Sequence, residues 1–118
     1  MRRKPGALVP LEIAILDVAV DLERRGTAEF HGYQLASHLA HVSDRRRLTA
    51  YGTLYRALGR LENMGLLESR SEDPHIAAGE NRPVRRLYAL TGEGVAVARR
   101  ERAARRARKP GRRRVAPA

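Results

Sequence analysis

The chain has 118 residues, which is enough for one domain with one modest hydrophobic core. Hydrophobic residues make up 42% of it and charged residues 31%, a balance typical of a globular protein and not of a disordered one. The absence of cysteine excludes a disulfide framework and a thiol nucleophile, and it suits the cytosol.

The formal net charge is +11, and most of it lies at the two ends of the chain. Residues 99–118 hold ten lysines and arginines and one glutamate, and Arg2, Arg3 and Lys4 follow the first methionine. Residues 5–98 hold eleven basic and twelve acidic residues, so the central part is not basic as a whole. The C-terminal tail therefore has two interpretations, a solvated extension or an arm that binds phosphates or enters a minor groove.

Residues 10–25 predict a first helix that begins at Pro10 and ends before Gly26. Its apolar residues occupy most of the helix circumference, which one small domain rarely covers alone. We therefore expect one side of this helix to face its own domain and the other side to face a second subunit. The predicted interface residues on this helix are Leu11, Ile15, Val18 and Leu22.

The basic start and apolar run of residues 1–20 superficially resemble a secretory signal. Glu12 and Asp17 interrupt the run, and a small-residue cleavage pattern is lacking. No stretch approaches the roughly 20 apolar residues of a membrane helix. We therefore expect a cytoplasmic protein without a membrane partner.

Residues 30–43 predict a shorter amphipathic helix whose Leu35, Ala36 and Leu39 point inward. The segment that follows it contains Arg45, Arg46 and Arg47, and Thr49 is a candidate N-cap for the next helix. This order predicts a helix-turn-helix pair, in which the second helix enters the major groove of DNA.

Residues 49–67 predict one helix with two different faces, and residues 50–64 would lie in the groove. Leu54, Ala57, Leu58 and Leu61 fall on the inner face, and Gly65 suits a C-cap with a left-handed backbone that would end the helix. The opposite face has no carboxylate, whereas a helix that is only solvated usually mixes both signs of charge. Residues 45–60 hold five arginines and no acid, so a polyanion is the expected partner. The alternative is an ordinary amphipathic core helix with a basic solvent face.

Residues 66–73 and 84–91 predict two short strands. Asp73 to Pro83, between them, contain two prolines, a glycine and an asparagine, and are expected to favour a turn over regular structure. A helix followed by a hairpin with an extended tip is the order of a winged helix. The predicted fold is mainly α with a small β-hairpin, a winged helix-turn-helix plus a C-terminal helix.

The last helix is predicted over residues 92–108, with Thr91 as its N-cap and Glu93 in its first turn. Pro110 and Gly111 would end it. Its apolar stripe is thin, and Val95 and Ala98 are the residues assigned to a dimer interface. The chain thus divides into a basic arm (1–7), a winged-helix domain (8–91), this helix (92–108) and a basic tail (109–118).

Three blocks of the sequence, in this order, resemble the PadR family of winged-helix transcriptional regulators. They are PLEIAILDVAVDL with FHGYQLA, then GTLYRALGRLENMGLLES, then RPVRRLYALTGEG, and together they span residues 8–94. The resemblance implies a homodimer whose last helix packs against the partner. It also implies binding to operator DNA, often released when a small effector is sensed. The first and last helices hold no large aromatic residue that would indicate a planar ligand, so no effector is named.

The candidate DNA-binding residues form three groups. The base-reading face comprises Thr53, Arg56, Arg60 and Asn63, of which an arginine suits guanine and Asn63 suits adenine. Tyr51 and Tyr55 flank this face and would donate their hydroxyls to phosphates. The arginines assigned to phosphates are Arg45, Arg46, Arg47, Arg82, Arg85 and Arg86. The expected function is a dimeric, sequence-specific regulator of transcription in the nucleoid, most simply a repressor.

Other functions have less support in the sequence. No nucleophile elbow, glycine-rich phosphate loop or paired carboxylates indicate an enzyme. His31, His38 and His41 lie close together in sequence, but the lack of cysteine and of convergent carboxylates argues against a metal site. We expect no cofactor. The competing hypothesis is a winged-helix module that binds protein or structured RNA.

Overall fold

The structure, a computed structural model, describes residues 7–42 and 51–108. Its elements in chain order are α1 (Pro10–Arg24), α2 (Gly32–Val42), α3 (Tyr51–Asn63), β1 (Leu67–Ser71), α4 (Pro74–Gly79), β2 (Arg86–Leu90) and α5 (Gly92–Ala107). The two strands form one antiparallel hairpin in which Leu67 faces Leu90 and Ser71 faces Arg86. This confirms the predicted fold class. The predictions for Arg45, Arg46, Arg47 and Thr49, for residues 1–6 and for residues 109–118 lie outside the described residues.

Helix α1 lies at the centre of the molecule and contacts α2, α3, α5 and β2. Its Glu12 side chain accepts the backbone N–H of Val9, which helps to fix the first turn. It ends as predicted, because Gly26 adopts a φ of 95°, and the N–H of Thr27 donates to the Leu22 carbonyl.

The chain itself covers most of the apolar circumference of α1. Ile15, Val18 and Leu22 are at most 4% exposed within one subunit, and Leu11 is half-buried against the core. The composition of this helix therefore needs no partner subunit to explain it. The sequence alone could not predict that the chain itself covers α1, because the covering elements come from much later in the chain.

Helix α3 has the two faces that the sequence predicts. Leu54, Leu58 and Leu61 are completely buried, whereas Thr53 and Arg56 on the opposite side are exposed. The helix ends at a left-handed glycine, because Gly65 has a φ of 79° and the Leu66 N–H donates to the Leu61 carbonyl. The predicted C-cap is thereby confirmed.

The segment between the strands contains a short helix, so the prediction of a turn without regular structure was wrong for Pro74–Gly79. Asp73 caps α4 by accepting the backbone N–H of His75 at 2.9 Å, and Pro74 supplies a φ suited to a first helical turn. Ala77 is the buried residue of this short helix. The Asp-Pro pair is a helix-start signal that the count of turn-forming residues obscured.

Phe30 pairs with β2 through an isolated bridge that the sequence did not indicate. Its N–H donates to the Tyr88 carbonyl at 2.9 Å, and the Tyr88 N–H donates back to the Phe30 carbonyl at 2.8 Å. The two rings stack with their centroids 6.1 Å apart, and both side chains are buried. The chain entering α2 is thus fixed against the hairpin.

Helix α5 begins on the turn that follows α3. The Thr91 hydroxyl accepts the Gly94 N–H at 3.0 Å, which confirms the predicted N-cap, and donates to the Gly65 carbonyl at 2.6 Å. Gly94 lies so close to the Leu66 carbonyl that a Cβ there would overlap it. The later part of α5 packs along α1, where Arg102 and Arg105 donate to Asp17.

Both predicted interface residues of α5 contact the chain itself, since Ala98 is 3% exposed and Val95 is half-buried. The homodimer stays a prediction. Among the described residues, no helix is both long enough and apolar enough to cross a bilayer.

Candidate nucleic-acid interface

The outer face of α3 presents an exposed arginine flanked by two glycines. Arg56 makes no hydrogen bond or ion pair with any residue that the structure describes. Gly52 and Gly59 lie beside it, and a Cβ built on Gly59 would meet open space. Thr53 and Asn63 are exposed on the same side. This face can therefore approach a flat or grooved partner closely, with a guanidinium available for bidentate hydrogen bonds.

Arg60 belongs to the same predicted face but has different surroundings. Its Nε donates to Oε2 of Glu12 at 2.7 Å, and its Nη2 donates to the carbonyl oxygen of Ala7 at 2.9 Å. The Glu12 side chain is 3% exposed and that of Arg60 is 34% exposed, so the ion pair lies at the edge of the core. Arg56 and Arg60 lie one helical turn apart, but they differ in their partners. The guanidinium of Arg60 is bound within the domain, whereas that of Arg56 binds no described residue.

Tyr51 and Tyr55 flank the outer face as predicted. They are 50% and 44% exposed, and their ring centroids lie 6.4 Å apart. The hydroxyl of Tyr55 lies directly over Gly32, where a side chain would overlap its ring. Tyr55 therefore connects α3 to the start of α2.

Sequence reasoning missed one further aromatic residue on this surface. Tyr33, in the first turn of α2, is 67% exposed, and its ring stacks on that of His31 at 6.4 Å. The signal that could have found it is its position on the polar side of an amphipathic helix, where an aromatic residue has no packing role.

The wing, which comprises β1, α4 and β2, is braced by an ion-pair network around Arg82. The guanidinium of Arg82 donates two hydrogen bonds to Glu72, at 2.8 and 2.7 Å, and one to Glu80 at 2.9 Å. Glu72 also accepts the backbone N–H of Arg85 at 3.0 Å. These hydrogen bonds, with that from Arg82 the larger cause, hold the pKa of Glu72 at about 2. The pKa of Arg82 is raised in turn.

The three wing arginines predicted to bind phosphates therefore differ in their surroundings. Arg82 is held by two carboxylates, whereas the side chain of Arg85 makes no hydrogen bond or ion pair with a described residue. Arg86 is exposed on β2, where it donates to the hydroxyls of Ser69 and Ser71. Both Arg85 and Arg86 keep unused N–H donors, which suits contact with an anion.

His31 precedes α2, where it is near both the ring of Tyr33 and the arginines of the wing. Its Nδ1 accepts the backbone N–H of Gln34 at 3.3 Å, so it acts as the N-cap of α2. Burial lowers the pKa of His31, and the charges of Arg85 and Arg82 lower it further. These effects favour the neutral ring that capping requires. The start of α2 thus lies close to both Tyr55 on α3 and the arginines of the wing.

The other histidines are engaged locally or exposed. His38 Nδ1 lies 3.0 Å from the carbonyl oxygen of Gln34, and His75 is exposed at the start of α4. The side chain of His41 lies outside the described part of the chain. Within that part, no three histidine or carboxylate side chains come together in a group that could hold a metal ion.

Comparison with known proteins gives one family. A family model described as the transcriptional regulator PadR-like family matches residues 22–100, which is more than half of the chain. No curated protein matches the sequence significantly.

Solved structures of similar fold include several of that family. The chain is 28% identical to a PadR family transcriptional regulator from Eggerthella lenta, with a TM-score of 0.61 over 82% of this chain and 75% of that one. A PadR family transcription regulator from Clostridium difficile has 23% identity and a TM-score of 0.69, over 85% and 91% of the two chains. Bacillus subtilis PadR, solved in complex with operator DNA, has 20% identity and a TM-score of 0.58, over 91% of this chain and 50% of that one.

Proposed function

The chain belongs to the PadR-like family of transcriptional regulators, and on this premise we propose that it binds operator DNA as a homodimer and represses transcription. Helix α3 would lie in the major groove while the wing contacts the phosphate backbone. The observation that carries the proposal is the exposed outer face of α3, which has Arg56 at its centre and no carboxylate. The operator complex of Bacillus subtilis PadR supports it, since the two proteins share a fold.

The proposed base contacts come from three side chains on this face. Arg56 would pair with the O6 and N7 atoms of a guanine, and Asn63 would reach an adenine. Thr53 would contact a base or a thymine methyl group at the start of the helix. Arg60 was predicted for the same role, but its guanidinium already binds Glu12 and Ala7, so the guanine contact is assigned to Arg56.

The proposed phosphate contacts surround the base-reading face. Tyr51 and Tyr55 would donate their hydroxyls, and Arg85 and Arg86 would donate from the wing. Arg82 belongs to the same group by sequence, although Glu72 and Glu80 neutralise much of its charge. The segment before α3 would add Arg45, Arg46 and Arg47.

The homodimer is proposed from the family resemblance, with the predicted interface on α1 and α5. Ile15, Val18, Leu22 and Ala98 are already buried within one subunit, so a partner would contact the half-exposed Leu11 and Val95. A two-fold dimer would read two half-sites about 34 to 36 Å apart along the duplex. The proposal includes no enzymatic activity and no cofactor, and it places the protein in the cytoplasm, on the nucleoid.

Genome-wide mapping of bound sites followed by gel-shift competition tests the proposal. The mapped duplex, random duplex DNA and an RNA duplex compete for the purified protein at a fixed salt concentration. We expect the mapped duplex to bind at least about 1,000-fold tighter than random DNA, because base contacts add to the phosphate term. Equal affinity for mapped and random DNA, or a preference for RNA, would overturn it in favour of a module that recognises shape.

Repression is tested separately by transcription in vitro from a template that carries the mapped site. We expect the protein to reduce the transcript from that promoter and to leave a promoter without the site unchanged. An increase of transcript would instead make the protein an activator.

A further inference from the structure

A chain of hydrogen bonds joins the last turn of α3 to the arginine at the start of β2. Ser69 on β1 donates its hydroxyl to Oε2 of Glu62 at 2.7 Å, and the same hydroxyl oxygen accepts a hydrogen bond from Nε of Arg86 at 3.1 Å. Nη1 of Arg86 also donates to the Ser71 hydroxyl at 3.3 Å. We call Glu62, Ser69 and Arg86 the relay.

The register of the hairpin places Ser69 and Arg86 on one face of the two strands. Side chains alternate along a strand, so every second cross-strand pair shares a face. The pairs on this face are Leu67 with Leu90, Ser69 with Tyr88 and Ser71 with Arg86. The face is buried at Leu67 and exposed at Ser71 and Arg86. The relay thus lies where the core ends and the exposed part of the wing begins.

The hydroxyl of Ser69 determines how the relay holds Arg86. A guanidinium has only donors and a carboxylate has only acceptors, so the direction of both hydrogen bonds is fixed. The one hydroxyl proton of Ser69 points to Glu62, and its lone pairs accept from Arg86. A hydroxyl that donates to a carboxylate is also a stronger acceptor, because the two hydrogen bonds polarise each other. Without Glu62, the hydroxyl would be free to rotate.

The relay leaves part of the Arg86 guanidinium available to a ligand. Two of its three nitrogens donate to hydroxyls of β1, which restricts the rotation of the side chain. Nη2 makes no hydrogen bond with any residue that the structure describes, and Arg86 is exposed. A donor held in this way suits a phosphate oxygen.

Glu62 lies on the flank of α3, beside the proposed base-reading face. It precedes Asn63 by one position, which corresponds to about 100° around the helix axis. Burial raises the pKa of Tyr88, and the nearby Tyr55 and Glu62 raise it further. The relay therefore begins close to the part of α3 that is proposed to contact DNA.

We propose that Glu62 and Ser69 are positioning residues that hold Arg86 in a fixed place relative to α3, so that this arginine reaches a backbone phosphate while α3 lies in the groove. This inference rests on the proposed binding of duplex DNA and deepens it, because it connects the phosphate contact of the wing to the helix that reads bases. Glu62 itself touches no DNA. It acts through Ser69 on the orientation of the guanidinium.

A double-mutant cycle on the full-length chain tests the proposal. Glu62→Ala is combined with Arg86→Gln, and the Kd for random duplex DNA is measured at several salt concentrations. If only charge matters, removal of a carboxylate near DNA strengthens binding, whereas loss of the relay weakens it. Glu68→Ala is the matched control, because it removes the same charge from an exposed residue on the other face of β1.

We expect Arg86→Gln to weaken binding roughly three- to tenfold and to lower the magnitude of the slope of log K against log salt concentration by about 1. Glu62→Ala should weaken binding and lower this slope in the same direction, although it removes no positive charge. In the Arg86→Gln background, Glu62→Ala should no longer weaken binding. Glu68→Ala should leave binding unchanged or strengthen it slightly.

Two substitutions of Ser69 separate positioning from a general effect on folding. Ser69→Ala removes the hydroxyl without any change of charge and should shift the salt slope toward that of Arg86→Gln. Ser69→Thr keeps a hydroxyl on the strand and should retain the slope of the wild type. Thermal unfolding of each variant checks that it is folded at the assay temperature. If Ser69→Ala does not fold, the cycle with Glu62→Ala decides.

Three results would refute the relay and leave the proposed function intact. They are binding by Glu62→Ala that is unchanged or stronger, equal weakening by Glu62→Ala in both backgrounds, and a salt slope that Arg86→Gln does not change. If the wild-type chain binds no duplex DNA at all, the proposed function itself fails, and that result is seen before any variant is made.

The free protein allows a second measurement that needs no DNA. Nuclear magnetic resonance follows the exchange of the Arg86 Nε–H with water. We expect this exchange to be faster in Glu62→Ala than in the wild type and in Glu68→Ala, because the Ser69 hydroxyl is no longer held as an acceptor. Equal exchange in all three proteins would mean that Glu62 does not position Arg86.

Discussion

Arg56 and Arg60 show what residue type and spacing can predict about a side chain and what they cannot. Both fall on the carboxylate-free side of α3, so the sequence assigns them the same role. The partners of Arg60 are 48 and 53 positions earlier in the chain, and no local pattern indicates them. The sequence therefore predicts which side of the helix is polar, but only the packed structure shows which donors on that side are already bound.

Replacing Arg56 by alanine tests the proposed base contact. The variant should lose about 1 to 3 kcal/mol of binding free energy on the cognate site and discriminate less at one base pair, because the bidentate contact to guanine is gone. Gel shifts on a set of single-base operator variants measure this, with exposed Arg100→Ala on α5 as the control. An equal loss on random DNA would reassign Arg56 to a phosphate.

The Glu72 carboxylate makes the wing sensitive to acid. Its pKa falls from 4.5 to about 2 on folding, so its contribution to stability is fully present above pH 4.5 and is lost as the pH falls toward 2. Thermal unfolding followed across this range should show a smaller pH dependence for Glu72→Gln than for the wild type. Glu68→Gln, an exposed residue on β1, serves as the control. Identical pH profiles for Glu72→Gln and wild type would contradict the assignment.

At the scale of elements, the sequence predicts helices better than the segments between them. The ends of α1, α3 and α5 follow from local signals, namely Gly26, Gly65 and Thr91, and the structure confirms all three. The bridge between Phe30 and Tyr88 pairs residues far apart in sequence. A single paired residue has no hydrophobic periodicity, so the sequence could not predict this bridge. Helix α4 was missed because six residues are too few for a helical pattern to stand out.

The contact between α5 and the turn after α3 predicts opposite effects for two glycines of one helix. Gly94→Ala should lower the free energy of unfolding by about 2 kcal/mol, because its Cβ would overlap the Leu66 carbonyl, and this outweighs the higher helix propensity of alanine. Gly92→Ala, where a Cβ meets open space, is the matched control and should be neutral or slightly stabilising. Chemical denaturation measures both. Equal effects at the two positions would rule out the close packing at Gly94.

Replacement of Gly59, inside α3, is expected to affect the stability of the protein and its binding to DNA in opposite directions. Gly59→Ala should stabilise the protein by roughly 0.5 to 1 kcal/mol, since a Cβ there meets nothing and alanine favours the helix. If DNA approaches this face closely, the same change should weaken binding to the cognate site. Unfolding and gel-shift measurements on one preparation test both effects. A loss of stability would mean that the helix is not regular at Gly59.

For the whole molecule, the charge pattern separates the tail from the folded domain. Residues 109–118 add four basic residues and no acid. If they bind phosphates, their deletion should weaken binding to all DNA similarly and lower the magnitude of the salt slope by up to about 4. Titration of random duplex DNA at several salt concentrations measures this. A solvated tail would leave the slope unchanged, which would confine phosphate binding to the rest of the chain.

The proposed dimer marks the limit of prediction from sequence at the largest scale. An apolar helix such as α1 indicates that something covers it, but not whether the cover is the same chain or another one. In this chain, α2, α3, α5 and β2 pack on α1 and cover much of its apolar surface. The packing of α5 on α1 determines which apolar surface stays exposed, and Asp17 holds α5 there through ion pairs with Arg102 and Arg105, which lie far from it in sequence.

The distribution of tyrosines gives the molecule an intrinsic optical probe. The chain has no tryptophan, so its near-ultraviolet emission comes from four tyrosines. Tyr88 is buried, whereas Tyr33, Tyr51 and Tyr55 are exposed around the start of α2 and along α3. Binding of a partner to the surface around these three tyrosines should therefore change most of the fluorescence of the protein. A titration that follows this emission needs no added dye.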